Sequence, residues 1–285
     1  MKILIALDGS PNATECLTAL AQFPIHEDAR LHIVVVCDTG ILAPHKIEPA
    51  RAESIVEEAK STIAKQYPGL PCSSEILHGP APLQILQAQT RLAADLVLAG
   101  AHAPRPFPQE ILGSVAQHIA RHADCSVKLM RQGGDQNRMI VCLEHSEIDS
   151  TLMGAIKLMR PPAGTQVMFL NVLDTQPIEL SQNPHDDARQ YFALQEEQKT
   201  KMAQLIDTYS AALKAIHPTL QIQSYISDDL EPVEEILEQA KSWQAGTIVV
   251  GSHKRQGMEK FWLGSVSEPV AARAPCSVHI VRHHS

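Results

Sequence analysis

The 285-residue chain lacks the features that mark several specialised classes of protein. Aromatic residues make up only 4 % of it. Its longest apolar run has about seven residues, near Leu31, where a membrane-spanning helix needs roughly 18 or more. The apolar start of the chain is interrupted by Asp8, too early for the apolar core of a signal peptide. We therefore expect a cytoplasmic protein without membrane contacts.

Positive charge and paired cysteines are scarce as well. Lysine and arginine number 24 against 32 aspartate and glutamate residues, so the formal net charge is −8 at pH 7. This balance argues against binding to the nucleic-acid backbone as the main activity. None of the six cysteines lies within about fifteen residues of another, which excludes a Cys-x-x-Cys pair. We expect reduced and mostly buried cysteines.

What the chain does have is a repeat. Three motif pairs share an offset of 151 residues: LAGAH at 98–102 with VVGSH at 249–253, LGSV at 112–115 with LGSV at 263–266, and CSV at 125–127 with CSV at 276–278. Upstream, KILIALD at 2–8 matches RMIVCLE at 138–144 at an offset of 136. The change in offset indicates a tandem duplication with about 15 extra residues in the second copy, expected near 176–189. We predict domains at 1–131 and 138–283.

Each copy alternates short apolar runs with helical periodicity. In the first copy the predicted strands are 2–7, 31–36, 72–77, 95–99 and 126–130, and the predicted helices are 11–22, 49–66, 82–94 and 114–122. Strand–helix alternation predicts an α/β protein with two tandem, doubly wound, five-stranded parallel sheets. Ligands bind such sheets beyond the carboxyl ends of the strands, where the winding direction reverses.

The residues that recur between the copies fall at those strand ends. They are Asp8 and Glu144 after the first strand, Gly100 and Gly251 after the fourth, and the pairs Gly113-Ser114 and Gly264-Ser265, which are expected to open the next helix. Glycine and serine at a helix start offer backbone N–H groups and a hydroxyl to an anion such as phosphate. The alternative is that each serine only caps its helix.

The segment from Gly251 to Glu268, together with APCSV at 274–278, resembles the signature of the universal stress protein family. The resemblance recurs in each half of the chain. It implies the adenine nucleotide alpha hydrolase-like fold of that family, and it implies that the halves pair through their last strands. It also allows a homodimer. Family members that bind ATP carry Gly-x-x-Gly, nine residues and then Gly-Ser or Gly-Thr. Here Ala103 and Lys254 replace the second glycine.

The two loops that follow the fourth strands differ. The first copy has Pro104, Pro106 and Pro108, which remove N–H donors, whereas the second copy has Lys254 and Arg255. We therefore prefer a nucleotide site in the second copy. Its predicted residues are Glu144, Val172, Val250, Gly251, His253, Lys254, Arg255, Gly264, Ser265, Val266 and Ser267. The first copy would hold a degenerate site at Asp8, Val36, Gly100, Gly113 and Ser114. The resemblance places Val36 and Val172 against adenine.

These residues predict reversible binding of ATP or another adenine nucleotide, with Mg²⁺ as a candidate companion, in a regulatory protein that is not an enzyme. Neither a phosphate-binding Gly-x-x-x-x-Gly-Lys loop nor a Gly-x-Ser-x-Gly elbow is present. One alternative is a nucleotide-free module that acts through an unidentified protein partner. Weaker alternatives are a slow ATPase and a histidine-based metal binder. His118 and His122 have the i, i+4 spacing of metal ligands but no evident third ligand, so no metal site is predicted.

Overall fold

The computed structural model describes residues 1–9, 17, 28–38, 47–101, 112–144, 146–158, 161–173, 184–228, 231–252 and 263–282. The described strands are β1 Lys2–Leu7, β2 Arg30–Cys37, β3 Cys72–His78, β4 Leu96–Gly100, β5 Ser126–Met130, β6 Asp135–Cys142, β7 Gln166–Val172, β8 Gln221–Ser227, β9 Ala245–Ser252 and β10 Ser277–Arg282. The described helices are α1 Pro49–Gln66, α2 Ala81–Leu92, α3 Ser114–His122, α4 Glu147–Leu158, α5 Pro184–Ile216, α6 Pro232–Ser242 and α7 Ser267–Arg273.

All ten strands form one sheet in the order β3-β2-β1-β4-β5-β10-β9-β6-β7-β8. The five strands of each half pair in parallel. The halves join where β5 and β10 run antiparallel, with Lys128 opposite His279. The predicted α/β class and the two tandem five-stranded parallel sheets are confirmed. The two sheets share an edge, so they form one continuous surface.

Consecutive side chains along each strand point to opposite faces of the sheet. Both faces are covered by helices, so apolar cores form on both. One face carries a core that runs across both halves and includes Val127 and Leu129 of β5 with Val278 and Ile280 of β10. The other face carries two separate cores, one in each half. The halves are thus joined by apolar packing on one face of the sheet as well as by strand pairing.

The local elements of the first copy follow the sequence closely. Helix α1 spans the predicted 49–66 and begins with Pro49 in its first turn, a position that tolerates the missing N–H of proline. The predicted helix at 11–22 lies outside the described residues except for Leu17, which is helical and buried. Among the described cysteines, Cys72 is half-buried and the other four are buried, as expected.

The extra length of the second copy lies in its long helix. Helix α5 has 33 residues where α1 has 18. Buried positions repeat at an offset of 150 residues: Ala52, Val56 and Ile63 in α1, and Met202, Ile206 and Leu213 in α5. The second half of α5 therefore corresponds to α1, and the added residues are 184–198. The expected position near 176–189 overlaps this segment at 184–189, and residues 174–183 lie outside the described residues.

Helices α3 and α7 both open at the predicted glycine. Helix α3 starts at Ser114 with Gly113 as its N-cap, and the N–H of Gln117 donates to the carbonyl of Gly113 at 2.8 Å. The N–H of Glu268 makes the equivalent bond to Gly264 at 3.1 Å, although the regular helix α7 runs only from Ser267. The bond that is missing is that of Pro269, which stands where the first copy has His118. Because proline has no N–H and its ring collides with the preceding turn, it is tolerated only in the first turn of a helix. None of the described helices has the length and apolar character needed to cross a bilayer.

Candidate functional site

A cavity of about 590 Å³ opens at the carboxyl ends of β6, β7 and β9 in the second copy. Strand β6 lies between β7 and β9 in the sheet, so the winding direction reverses there. This is the position where parallel α/β sheets bind ligands, and the volume falls within the range of about 300–1,000 Å³ typical of small-molecule sites.

Eight predicted site residues line this cavity: Glu144, Val172, Val250, Gly251, Gly264, Ser265, Val266 and Ser267. The structure thus brings together residues from three strand ends and the segment that leads into α7. The other three predicted residues of this copy, His253, Lys254 and Arg255, lie outside the described residues. The remainder of the lining comes from Cys142, Leu143, Leu170, Asn171, Leu173, Gln198, Met202, Pro232 and Ile236.

The loop that carries Glu144 is held by a buried carboxylate. Asp149 is fully buried, and its two oxygens accept the backbone N–H groups of Glu144 at 3.1 Å and Ser146 at 3.3 Å. A carboxylate that reaches back to a backbone N–H at the start of its own helix forms half of a capping box. Our sequence reasoning missed Asp149, although the spacing from Ser146 to Asp149 is the signal of such a box.

Gly251 allows β9 to approach α4 closely. A Cβ atom at this position would lie 2.5 Å from Cγ1 of Ile148, closer than side chains pack. The sequence predicts Gly100 and Gly251 at the strand ends where ligands bind such sheets. In the structure, at least part of the requirement at Gly251 comes from packing against Ile148.

The turn before α7 faces the cavity with small residues. Gly264 and Ser265 are exposed, and the backbone N–H of Gly264 donates to Oγ of the buried Ser267 at 2.9 Å. Added volume at Gly264 would fit, since a Cβ atom there would lie 3.5 Å from that Oγ. Helix α7 also contacts the first copy, because its Glu268 forms an ion pair with Arg121 of α3.

The inner wall of the cavity is apolar. It includes Leu170, Val250 and Ile236. Burial raises the pKa of the Cys142 thiol, with a smaller contribution from Glu144, so this side chain stays protonated at neutral pH. Asn171 is buried and donates its Nδ2 to the carbonyl of Leu143 at 2.8 Å, which ties the end of β7 to the chain leaving β6.

The contributions of α5 and α6 could not be found by comparing the two copies. Gln198 and Met202 of α5 and Pro232 and Ile236 of α6 reach the cavity from other parts of the chain. The repeat motifs locate only residues that recur in both copies, and the position equivalent to Gln198 in the first copy is Glu48, which is neither a glutamine nor helical.

The predicted residues of the first copy lie at the equivalent edge of their own half. Asp8 follows β1, Val36 lies near the end of β2, and Gly100 ends β4. Gly113 and Ser114 begin α3. The loop at 102–111, with its three prolines, lies outside the described residues, so the degenerate first site stays a prediction.

The two histidines that have the spacing of metal ligands pack against each other. The ring centroids of His118 and His122 are 4.4 Å apart on α3. Within the described part of the chain, no group of three histidine, cysteine, aspartate or glutamate side chains could hold a metal ion.

Comparison with known proteins identifies the repeat. The model of the universal stress protein family matches residues 1–131 and again 137–282. A universal stress protein of Synechocystis sp. is 30 % identical over 130 residues, which are 46 % of this chain and 42 % of that protein. The chain thus matches less than half the length of this relative.

Solved structures share the whole architecture. A universal stress protein of Archaeoglobus fulgidus superposes with a TM-score of 0.64 at 16 % identity, covering 100 % of this chain and 98 % of that one. A protein of unknown function from Pseudomonas aeruginosa gives a TM-score of 0.65 at 16 % identity, covering 99 % of this chain and 92 % of that one. At this identity the likeness concerns the fold alone. With its two family matches, the chain belongs to the universal stress protein family.

Proposed function

We propose that the protein is a cytoplasmic stress-response regulator that binds an adenine nucleotide reversibly in the cavity of its second copy. The observation that carries the proposal is the convergence of the eight predicted residues, from Glu144 to Ser267, on that one cavity. They come from distant parts of the chain, and the repeat and the family resemblance together predict them as site residues.

The chemistry of the lining suits a nucleotide. Val172, Leu173 and Met202 provide an apolar surface for a flat base. Gly264 and Ser265 place exposed backbone and a hydroxyl where phosphates would lie. Oxygen ligands are those that Mg²⁺ prefers, so the carboxylate of Glu144 would hold the ion together with phosphate oxygens. The ion would neutralise phosphate charge when bound.

The proposed role of the bound nucleotide is regulatory. Binding without turnover would let the nucleotide stabilise one conformation or one contact of the protein.

The test is to measure nucleotide released on denaturation of protein purified without added ligand, and to titrate the same batch with Mg-ATP by calorimetry. About one adenine nucleotide per chain supports the proposal. Gly264→Val should then abolish occupancy, because its branched side chain fills the space beside Ser265. Gly113→Val, at the equivalent but buried position of the first copy, should leave occupancy unchanged in protein whose unfolding midpoint shows that it is folded. Absence of both nucleotide and heat at millimolar ATP would refute the proposal.

In that event the alternative is a nucleotide-free interaction module. The observation that favours it is the exposure of two large apolar side chains on the first half of α5, Phe192 at 62 % and Leu194 at 45 %.

A further inference from the structure

One part of the cavity wall comes from a stretch of helix that the first copy lacks. Gln198 lines it from the end of the added segment 184–198. The equivalent position in the first copy, at an offset of 150 residues, is Glu48, which precedes α1 with an extended backbone at φ −67° and ψ 145°. In the second copy the helix continues through this position, so a continuous helix holds Gln198 in place. A side chain on a continuous helix is better ordered for recognition than one on a loop.

Gln198 lies at the solvent-exposed rim of the cavity. The residues beside it in sequence form ion pairs that do not involve the cavity: Glu197 contacts Lys201 at 2.7 Å, and Lys199 contacts Asp228 at 3.3 Å. Met202, one turn further along the helix, is buried and lines the same cavity. Residues four apart share a helix face, so Gln198 and Met202 form one strip of the wall.

The rest of this part of the cavity suits a base. Leu173 is buried, and it lines the cavity beside Val172 at the end of β7. The thioether of Met202 packs well against aromatic rings. Two amides line the cavity: Asn171 is buried and its Nδ2 donates to the carbonyl of Leu143, whereas Gln198 lies at the exposed rim. Small-molecule sites are usually apolar with a few polar groups that fix the orientation of the ligand.

The amide of glutamine distinguishes purines by their hydrogen-bonding edges. It presents a donor and an acceptor side by side. Adenine presents the complementary pair, an exocyclic amino group next to a ring nitrogen, and glutamine binds this edge through two hydrogen bonds. The edge concerned is the one that carries N7. There adenine offers its amino group beside N7, whereas a 6-oxopurine offers two adjacent acceptors, O6 and N7, so the amide oxygen would face a carbonyl oxygen.

We propose that Gln198 reads the base of the nucleotide: Oε1 accepts from the exocyclic amino group of adenine, and Nε2 donates to the adjacent ring nitrogen. The second copy would thereby select adenine over 6-oxopurine nucleotides. This inference rests on the proposed function and assigns specificity to a residue outside the motifs that recur in the two copies.

The test compares ATP with inosine 5′-triphosphate, which differs only at this edge of the base, by calorimetry on the full chain. We expect the wild-type protein to bind ATP about tenfold or more tightly than inosine triphosphate. Gln198→Leu should bring the two affinities together, mainly by weakening ATP binding. Glu197→Leu, on the adjacent outward position, should keep the wild-type ratio.

Gln198→Glu provides a second variant in case the leucine perturbs the helix, since it keeps an acceptor and loses the donor. It should retain part of the preference at reduced affinity for ATP. A wild-type protein without preference, or a preference that survives in both Gln198 variants, overturns the inference while leaving nucleotide binding intact. If neither nucleotide binds the wild-type protein, the inference falls together with the proposed function.

Discussion

Arg131 and Arg282 occupy equivalent positions 151 residues apart, and each inserts its guanidinium into the other half of the molecule. Arg131 donates to the carbonyls of Ala271, Ala272 and Ala274 at the end of α7, and Arg282 to those of Ala120, Ala123 and Cys125 at the end of α3. The last carbonyls of a helix lack partners within the helix and carry partial negative charge. Each half of the protein therefore caps a helix of the other.

The reciprocal caps should hold the two halves together. Replacing Arg131 or Arg282 with methionine leaves buried helix-end carbonyls without donors, which costs about 2–3 kcal/mol for each substitution. The measurement is the urea unfolding midpoint. Arg273→Met is the matched control, because Arg273 is exposed and pairs with Glu234 on the surface. Its effect should be far smaller. Midpoints of all three variants close to that of the wild type would contradict the capping role.

The junction should also make the protein sensitive to acid. Burial, assisted by the charge of Lys128, lowers the pKa of His279 to about 3 from an ordinary value of 6.5. Between these values the unfolded chain binds a proton that the folded chain does not, so stability falls as the pH drops below about 6.5. One such proton changes the free energy of unfolding by about 1.4 kcal/mol per pH unit.

His279→Gln removes this proton uptake, so its unfolding free energy should depend less steeply on pH between about 3 and 6.5. Chemical denaturation at a series of pH values measures the slope. His78→Gln serves as the control, because His78 is exposed at the end of β3; that variant should follow the wild-type curve. An unchanged slope in His279→Gln would show that His279 does not contribute.

The contact between Gly251 and Ile148 should appear as coupling between two substitutions. Gly251→Ala places a Cβ atom against Ile148 and should destabilise the protein by about 1–3 kcal/mol. Ile148→Ala removes the colliding atoms, so the double variant should lose less than the sum of the two single losses. Gly154→Ala, with open space around its Cβ in α4, should instead stabilise by about 0.5–1 kcal/mol. Additive losses at positions 251 and 148 would argue against the collision.

Asp149 should determine the order of the loop beneath Glu144. Asp149→Ala frees two backbone N–H groups and should cost about 2–3 kcal/mol. Amide hydrogen exchange at Glu144 and Ser146 should accelerate in this variant, and unfolding midpoints give the cost. Ser150→Ala, which removes a hydroxyl that only bonds the carbonyl of Glu147, should leave both amides protected. Equal exchange in the two variants would show that the carboxylate does not hold the loop.

Much of the fold can be predicted from the sequence, because the strands and helices of a parallel α/β protein follow from local patterns of apolar residues. Apolar strand runs and helical periodicity predict α1 and the first strand at Lys2–Leu7 to the residue. The extra length of the second copy is expected near 176–189 and is found in α5 at 184–198, because a periodic pattern continues unchanged through an insertion.

The sequence by itself determined the tandem repeat, the α/β class and the recurring residues at the strand ends, since each follows from local pattern or from comparing one half with the other. Only the tertiary structure decided that Gln198 of α5 lines the same cavity as Glu144 and Gly264, and that Arg131 and Arg282 cap helices across the junction. These relationships join residues up to 162 positions apart. They arise from the packing of helices and from the antiparallel pairing of β5 with β10. Local sequence patterns do not predict either of these.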